Sequence, residues 1–277
     1  SEALTRKGAE LSAIDANPVD TVWHDRPAPG IAPAFPHDEA FAGRSASEKV
    51  ADIAAWLTAR RANTLVLTAL DSVAWTLNIR GSDVSHTPVA LAYAVVHADA
   101  RVELFITPEK ADAALRAHMG AAVTVRPRAD FARALEMEFT GKTVAVDPER
   151  AVVAIFAALE AGGATIDAVR DPVVLAKALK SPAEIAGHKA AQLRDGAALT
   201  RFLRWISVEG PKGSETELSA AARLHDFRRD TNQLIDLSFD TISGAGPNGA
   251  VVHYRVDEST NRTIAPDMLY LVDSGGQ

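Results

Sequence analysis

The chain has 277 residues, 47% hydrophobic and 23% charged, the make-up of an ordinary soluble globular protein with room for more than one domain. It has no cysteine, which excludes disulfides, thiolate metal sites and cysteine nucleophiles from this segment. The formal charge of -7 argues against a general nucleic-acid binder, and no apolar run approaches the roughly 18 residues of a membrane span.

A cysteine-free chain suits a cytosol or a periplasm, and Ser1 to Gly8 hold no signal-peptide core. Residues 1–16 read as the last helix of a preceding domain. From Asn17 to Gly43 the prolines at 18, 27, 29, 33 and 36, with Gly30 among them, predict an extended connector. Trp23, Ile31 and Phe35 are the residues expected to lay it against a surface.

Regular structure is predicted from Ser45. Ser45-Ala46-Ser47-Glu48 has the form of a capping box, with Val50, Ile53, Ala54 and Leu57 on one helical face. Thr64–Leu70 is β-rich, and Asp71 is placed to cap a helix through Val73, Trp75 and Leu77. Val89–Val96 and Val102–Ile106 read as paired strands turning at His97-Ala98-Asp99-Ala100. Thr107-Pro108, Asp147-Pro148 and Asp171-Pro172 each place a cap residue before a proline and predict helix starts. Strand candidates Ala122–Val125, Thr143–Val146 and Thr165–Val169 lie between them. The alternation predicts an α/β layer architecture over 45–180 with a mixed sheet.

Ser181-Pro182-Ala183-Glu184 combines a cap, an N1 proline and an N3 glutamate, and marks a second unit. Leu199, Phe202, Leu203 and Ile206 form the expected buried stripe. Pro211-Lys212-Gly213 ends that helix, and Ser214-Glu215-Thr216-Glu217 starts another with Leu218, Ala221 and Ala222 on one side. Strands are predicted at Leu237–Ile242, Ala250–Tyr254 and Met268–Val272. Two helices followed by strands give an α+β unit over 181–277, its sheet unfinished and its edges or apolar face exposed.

Two residues stand out for chemistry. Asp273 ends an apolar strand before Ser274-Gly275-Gly276-Gln277, a glycine turn; it is a turn cap, a metal ligand or a general base. One carboxylate cannot hold a divalent metal usefully, so further ligands are expected beyond Gln277, as from the front part of a larger enzyme. His253 follows the loop Ser243–Asn248, whose glycines permit close approach to a ligand, and reads equally as a hydrogen-bonded core residue. That loop fits no dinucleotide or phosphate-loop pattern. His24, His37 and His86 fall in loops and His118, His188 and His225 in predicted helices, none with His-Glu-x-x-His spacing. Arg228-Arg229 reads as a solvated helix face, Trp56 and Trp75 as core, and Arg80-Gly81-Ser82-Asp83 as a structural turn or a cleft lining.

The joined motifs Thr241–Tyr254, Glu258-Ser259-Thr260-Asn261-Arg262-Thr263 and Tyr270–Gln277 closely resemble the Xaa-Pro aminopeptidases in their large three-domain form. Trp23-His24-Asp25-Arg26-Pro27 and Leu70–Val84 resemble the same family, so the likeness spans the chain. It implies the end of a preceding domain with a connector at 1–44, and a creatinase-N-like α/β domain at 45–180. The first part of a "pita-bread" catalytic domain then follows at 181–277.

The resemblance implies that Asp273 is the first ligand of a site for two divalent metal ions, usually manganese. His253 is implied to be a substrate-contacting catalytic residue that is not a metal ligand. It also implies removal of the N-terminal residue from peptides with proline second, by metal-assisted hydrolysis, with this segment alone inactive. A homodimer, a cytoplasmic location, and neither nucleic-acid nor membrane partners complete the expectation. An X-Pro dipeptidase, a metal-free creatinase-like hydrolase and a non-catalytic dimerisation or binding segment are the alternatives.

Overall fold

The structure, a computed structural model, describes residues 2–10, 12, 14, 16–28 and 30–277. It divides into two compact units at Gly30/Ile31. In the first, the helix expected over 1–16 reduces to one turn, α1 (Glu2–Thr5), and the parts of that expectation at Ser1, Leu11, Ala13 and Asp15 lie outside the described residues. Pro29 of the expected connector lies outside them too. Asn17 caps a short 3-10 turn at Pro18–Thr21 by accepting from the Val19 amide at 3.0 Å. Trp23 is exposed, with the Arg26 guanidinium 5.4 Å from its ring centre.

The second unit opens with β1 (Phe35–Pro36) and α2 (Glu39–Ala42). Ile31 and Phe35 are exposed, against expectation, because backbone bonds hold this strip rather than apolar side chains. The buried residue is Ala34, whose amide donates to the Lys110 carbonyl at 2.9 Å. Next comes α3 (Ala46–Arg60), with both arms of the Ser45/Glu48 capping box formed and Val50, Ile53, Ala54 and Leu57 buried.

The chain continues through β2 (Thr64–Leu67), α4 (Leu70–Leu77), β3 (Ile79–Arg80), β4 (Ala92–His97) and β5 (Val102–Ile106). Asp71 does not cap α4; Ala69 holds the cap position, and the Asp71 carboxylate pairs with Lys177 and Arg150 instead. Then follow α5 (Ala113–Met119), β6 (Val123–Pro127), α6 (Phe131–Met137), β7 (Thr143–Val146), α7 (Val153–Ala161), β8 (Thr165–Ala168) and α8 (Val173–Ala178).

Of the three cap-proline pairs, only Asp171-Pro172 begins an α-helix, its carboxylate accepting from the Val173 amide at 2.8 Å. Thr107-Pro108 opens a 3-10 turn, after which Asp112 caps α5. Asp147 accepts from the Glu149 amide and from the Asp171 amide, so it ties two loops and α7 starts later.

The six-stranded sheet runs β6-β5-β4-β2-β7-β8. Pairing is antiparallel at β2–β4 and β4–β5 and parallel elsewhere, which bears out the mixed sheet. Strand alternation sorts the core into two layers. Leu65, Leu67, Ala94, Val96 and Leu104 face α3, α4 and α5, whereas Val66, Val95, Phe105, Val144 and Val146 face α6 and α7.

From Pro182 the chain forms α9 (Pro182–Glu209), α10 (Glu217–Arg229), β9 (Ile242–Ala245) and β10 (Tyr270–Asp273). The Ser181/Glu184 box is formed in full, and the Ser181 hydroxyl also donates to the Ala42 carbonyl at 3.3 Å. On α9 the core positions are Ala198 and Phe202, and Leu203 of the expected stripe is exposed. On α10 the core face is Ala220, Leu224 and Phe227. Leu218, Ala221 and Ala222 do share a side, but that side lines an open cavity of about 520 Å³ with His225, Asp240 and Arg255. Among the described residues no helix is long and apolar enough to cross a membrane.

Candidate active-site face

β9 and β10 pair antiparallel, with Tyr270 opposite Ala245, Leu271 opposite Gly244, Val272 opposite Ser243 and Asp273 opposite Ile242. Tyr270 and Val272 turn toward Phe202 and the α9/α10 core. By alternation Leu271 and Asp273 turn the other way, and both are exposed. Among the described residues nothing hydrogen-bonds or ion-pairs with the Asp273 carboxylate, and no group of three or more His, Cys, Asp or Glu side chains gathers in metal-binding geometry. A single carboxylate does not by itself fit a pair of cations.

After Asp273 the expected glycine turn is instead an extended, paired segment. Gly276 bridges Leu237 antiparallel, the Ser238 amide donates to the Gly275 carbonyl at 2.9 Å, and the Ile235 amide to the Gln277 carbonyl at 2.8 Å. The glycines are there for room. A Cβ on Gly275 would stand 2.8 Å from the Ser238 hydroxyl, and one on Gly276 would stand 3.0 Å from a Leu234 methyl. Arg228 is fully buried rather than solvated: it grips Asp195 with Nε at 2.6 Å and Nη2 at 3.2 Å and donates to the Ser274 hydroxyl. Ser274, next to Asp273, is therefore anchored to both helices. Arg229 does lie on the solvent side, paired with Asp226.

The predicted strand at Ala250–Tyr254 does not form. Gly246–Ala250 is a 3-10 turn, and tight turns follow, with the Val251 amide donating to the Asn248 carbonyl and the Tyr254 amide to the Val251 carbonyl. His253 is exposed with left-handed backbone, φ 54°, so it is not a core histidine. A Cβ on Gly249 would be 3.4 Å from the Leu271 Cβ, so the loop leading to His253 runs over the same face of the hairpin as Asp273. Gly244 and Gly249 touch backbone to backbone, leaving 2.9 Å between a Gly244 Cβ and the Gly249 nitrogen. An open cavity of about 550 Å³ lies along Gly246, Gly249, Ala250 and Leu269–Val272. The expected apolar exposure is here, with Leu269 89% and Val252 83% exposed.

One residue organises this loop, and sequence reasoning missed it. Glu217, the first residue of α10, is 0% exposed. Its Oε1 accepts from the Ala245 amide at 2.6 Å and lies 3.0 Å from the Asn248 side-chain nitrogen. Its Oε2 accepts from the Tyr254 hydroxyl at 2.8 Å and the Arg262 amide at 3.1 Å. Burial and then the nearby Glu217 carboxylate keep the Tyr254 phenol above its ordinary range and hence protonated as a donor. Desolvating such a carboxylate costs several kcal/mol, offset by charge-assisted bonds of about 1.5–3 kcal/mol each and by the helix N-terminus. On the far side Tyr270 donates to or accepts from the Ser243 hydroxyl at 2.8 Å, and burial pushes its phenol up to about 12. The signal available in sequence, an acidic residue in a first helical turn, is common to many helices. The partners lie up to 45 positions away.

The segment from Glu258 to Thr263 packs against the start of α10. Asp257 Oδ1 accepts from the Ser259 and Thr260 amides, Asn261 Oδ1 accepts from the Leu218 amide, and the Thr260 carbonyl faces Asn248 and Tyr254. Both motifs therefore converge on the start of α10. Arg80-Gly81-Ser82-Asp83 proves structural at Asp83, which is ion-paired with Lys110, both side chains 3% exposed. Trp56 and Trp75 pack against the core as expected.

This fold and these motifs match known proteins. The profile of the creatinase/prolidase N-terminal domain matches residues 25–184, more than half of the chain. The chain belongs to the creatinase/prolidase N-terminal domain family. Residues 186–277 match metallopeptidase family M24. The chain is 37% identical over 287 residues to a probable Xaa-Pro aminopeptidase P of Neosartorya fischeri, covering 100% of this chain and 44% of that protein. To a relative of the same description from Paracoccidioides brasiliensis it is 36% identical, covering 100% of this chain and 47% of that protein. It superposes with TM-score 0.87 at 32% identity on the X-prolyl aminopeptidase of Caenorhabditis elegans, described as a cytosolic enzyme with a di-nuclear active site, over 99% of this chain and 46% of that one. A prolidase from Thermococcus sibiricus, at 17% identity and TM-score 0.62 over 84% of this chain and 62% of that one, shares the fold. The chain spans less than half the length of its curated relatives.

Proposed function

We propose that this chain is part of a proline-specific metallo-aminopeptidase that releases the N-terminal residue from peptides with proline in the second position. The observation that carries the reading is the β9/β10 hairpin, which exposes Asp273, without a partner among the described residues, on the same face as Leu271, the residue that the loop leading to His253 packs over at Gly249. Whole-chain identity with Xaa-Pro aminopeptidases at 35–37% supports it. In this reading residues 1–44 close a preceding domain and connect it, 45–180 form the middle domain, and 181–277 begin the catalytic one.

Asp273 would be one ligand of a site for two divalent metal ions, with manganese as the metal. Further donors for that pair would have to join Asp273, since the described residues gather no group of metal-binding side chains around it. Bound metal would supply Lewis acidity and an activated water. This chain's own contribution is to present the Asp273 carboxylate from a strand whose next residue, Ser274, is held by Arg228. It also holds an imidazole at His253, able to donate a hydrogen bond to the substrate as charge develops on the scissile carbonyl. A peptide substrate, a homodimer and a cytoplasmic location belong to the same proposal; the cytosolic description of the Caenorhabditis elegans enzyme supports the last.

The test is made in the full-length protein. His253→Ala is expected to lower turnover of an X-Pro tripeptide by about 100-fold with metal content unchanged. Asp273→Asn is expected to lower metal occupancy measured by elemental analysis. Equal loss of turnover and metal in the His253 variant would contradict its role. Hydrolysis confined to X-Pro dipeptides would favour a dipeptidase instead.

A further inference from the structure

The loop that presents His253 is built around Glu217, a residue with no part in the chemistry above. Its four donors are the Ala245 amide, Asn248 Nδ2, the Tyr254 hydroxyl and the Arg262 amide. None is a cation. A fully buried carboxylate served only by neutral groups is a costly choice if stability alone were at stake, since an apolar side chain would fill the space without desolvating a charge. What this carboxylate does achieve is geometric. Its bonds seize the chain just before the loop at Ala245, inside it at Asn248 and at its end at Tyr254.

His253 is the residue before Tyr254 and has a left-handed backbone. Its own side chain is exposed and makes no bond among the described residues, so its place is decided by its neighbours. Tyr254 is held from two directions, its hydroxyl by Glu217 and its amide by the Val251 carbonyl. Asn248 lies 2.8 Å from the Tyr254 hydroxyl as well as on Glu217, closing a three-residue ring beneath the loop.

We propose that Glu217 is a positioning residue for His253, its buried carboxylate locking the Gly246–Tyr254 loop in the one shape that presents the imidazole. The inference rests on the catalytic reading of His253, and its test separates the two.

In the full-length protein with an X-Pro tripeptide, Glu217→Gln keeps the side-chain shape but sets an amide against the donors of Asn248, Tyr254 and Arg262. It is expected to lower kcat about 10-fold or more, with KM within about threefold and metal content unchanged. Tyr254→Phe removes one donor with little risk to folding, and is expected to lower kcat by a smaller factor. In a His253→Ala background both substitutions are expected to change kcat less than about twofold, because they act through the missing imidazole. Equal factors in both backgrounds, or no effect on kcat with His253 present, would overturn the proposal.

An independent readout uses protein carrying 13C-labelled histidine, with the His253 resonance identified by its loss in His253→Ala. Tyr254→Phe and Glu217→Gln are expected to shift or broaden that resonance and leave those of His97 and His118 in place. An unmoved His253 resonance would overturn positioning. A His253→Ala variant with full turnover would sink the catalytic role of His253, and the resonance would still decide whether Glu217 places it.

Discussion

At the scale of single residues, the hairpin face depends on atoms that are absent as much as on those present. Gly244 lies against the backbone of Gly249, which does not yield as the end of a long side chain would. Gly244→Ala would thrust a methyl group to 2.9 Å from the Gly249 nitrogen, displacing the 3-10 turn and the His253 loop with it. We expect a loss of about 1–3 kcal/mol in urea unfolding, together with a drop in turnover. The place of Asp273 at the end of an apolar strand was legible in sequence because that pattern is local. Arg228 was not: two adjacent arginines at a helix end look like a solvated surface, and only the fold brings Asp195 and Ser274 to one of them. His253 was legible as a residue of interest but misread in conformation. Val251-Val252-His253-Tyr254 has the composition of a strand, yet the Tyr254 hydroxyl is drawn to Glu217, 37 positions earlier, and bends the chain into turns.

At the scale of elements, the same division between local and distant signals recurs. The capping boxes of α3 and α9 formed as read, since their bonds span three residues and need nothing from elsewhere. The cap-proline pairs at Thr107 and Asp147 misled because a 3-10 turn and an Asx-type loop use the same residues. Across β4, β5 and β6 an ion network emerges from register: Glu103 sits 2.9 Å from His97 Nε2 and 2.5 Å from Arg126, and Arg126 reaches Glu138, just after α6, at 2.8 Å. The His97 bond, and then Arg126, hold the Glu103 carboxyl down at about 2, below its ordinary 4.5.

A carboxylate depressed on folding stabilises the protein above its unfolded pKa, and that support is lost as pH falls through the folded value. The window here runs from about 4.5 down to about 2. Glu103→Gln is therefore expected to cost on the order of 2 kcal/mol at neutral pH, after allowance for solvent screening. In urea titrations the gap from the parent protein should narrow progressively toward the acid end of that window. A gap independent of pH would mean that packing, and not charge, is what the substitution removes.

At the scale of the whole molecule, the six-stranded sheet and its two helical layers were legible because period-two alternation and helix spacing are written into contiguous residues. The links between distant segments were not. Lys110 and Asp83 form an enclosed ion pair, and the backbone of Lys110 also receives the Ala34 amide, so three separate stretches of chain meet at one buried point. Lys110→Met would leave the Asp83 carboxylate buried beside the Leu91 amide without its cation. A loss of about 3–5 kcal/mol in global stability is expected, measured by denaturant unfolding, with Asp83→Asn in the same chain restoring part of it.

The hairpin of β9 and β10 carries a rule about chain length. Phe202 and its neighbours take every second side chain of β10, and Asp273 belongs to the other set. Removing one residue between Tyr270 and Asp273 would rotate the carboxylate into the oily interior and eject an aliphatic group in its stead. Removing two would restore the facing but draw it back by about 7 Å along the strand. Odd and even deletions should thus fail differently, the first by misfolding and the second by leaving a well-folded protein with its carboxylate out of reach.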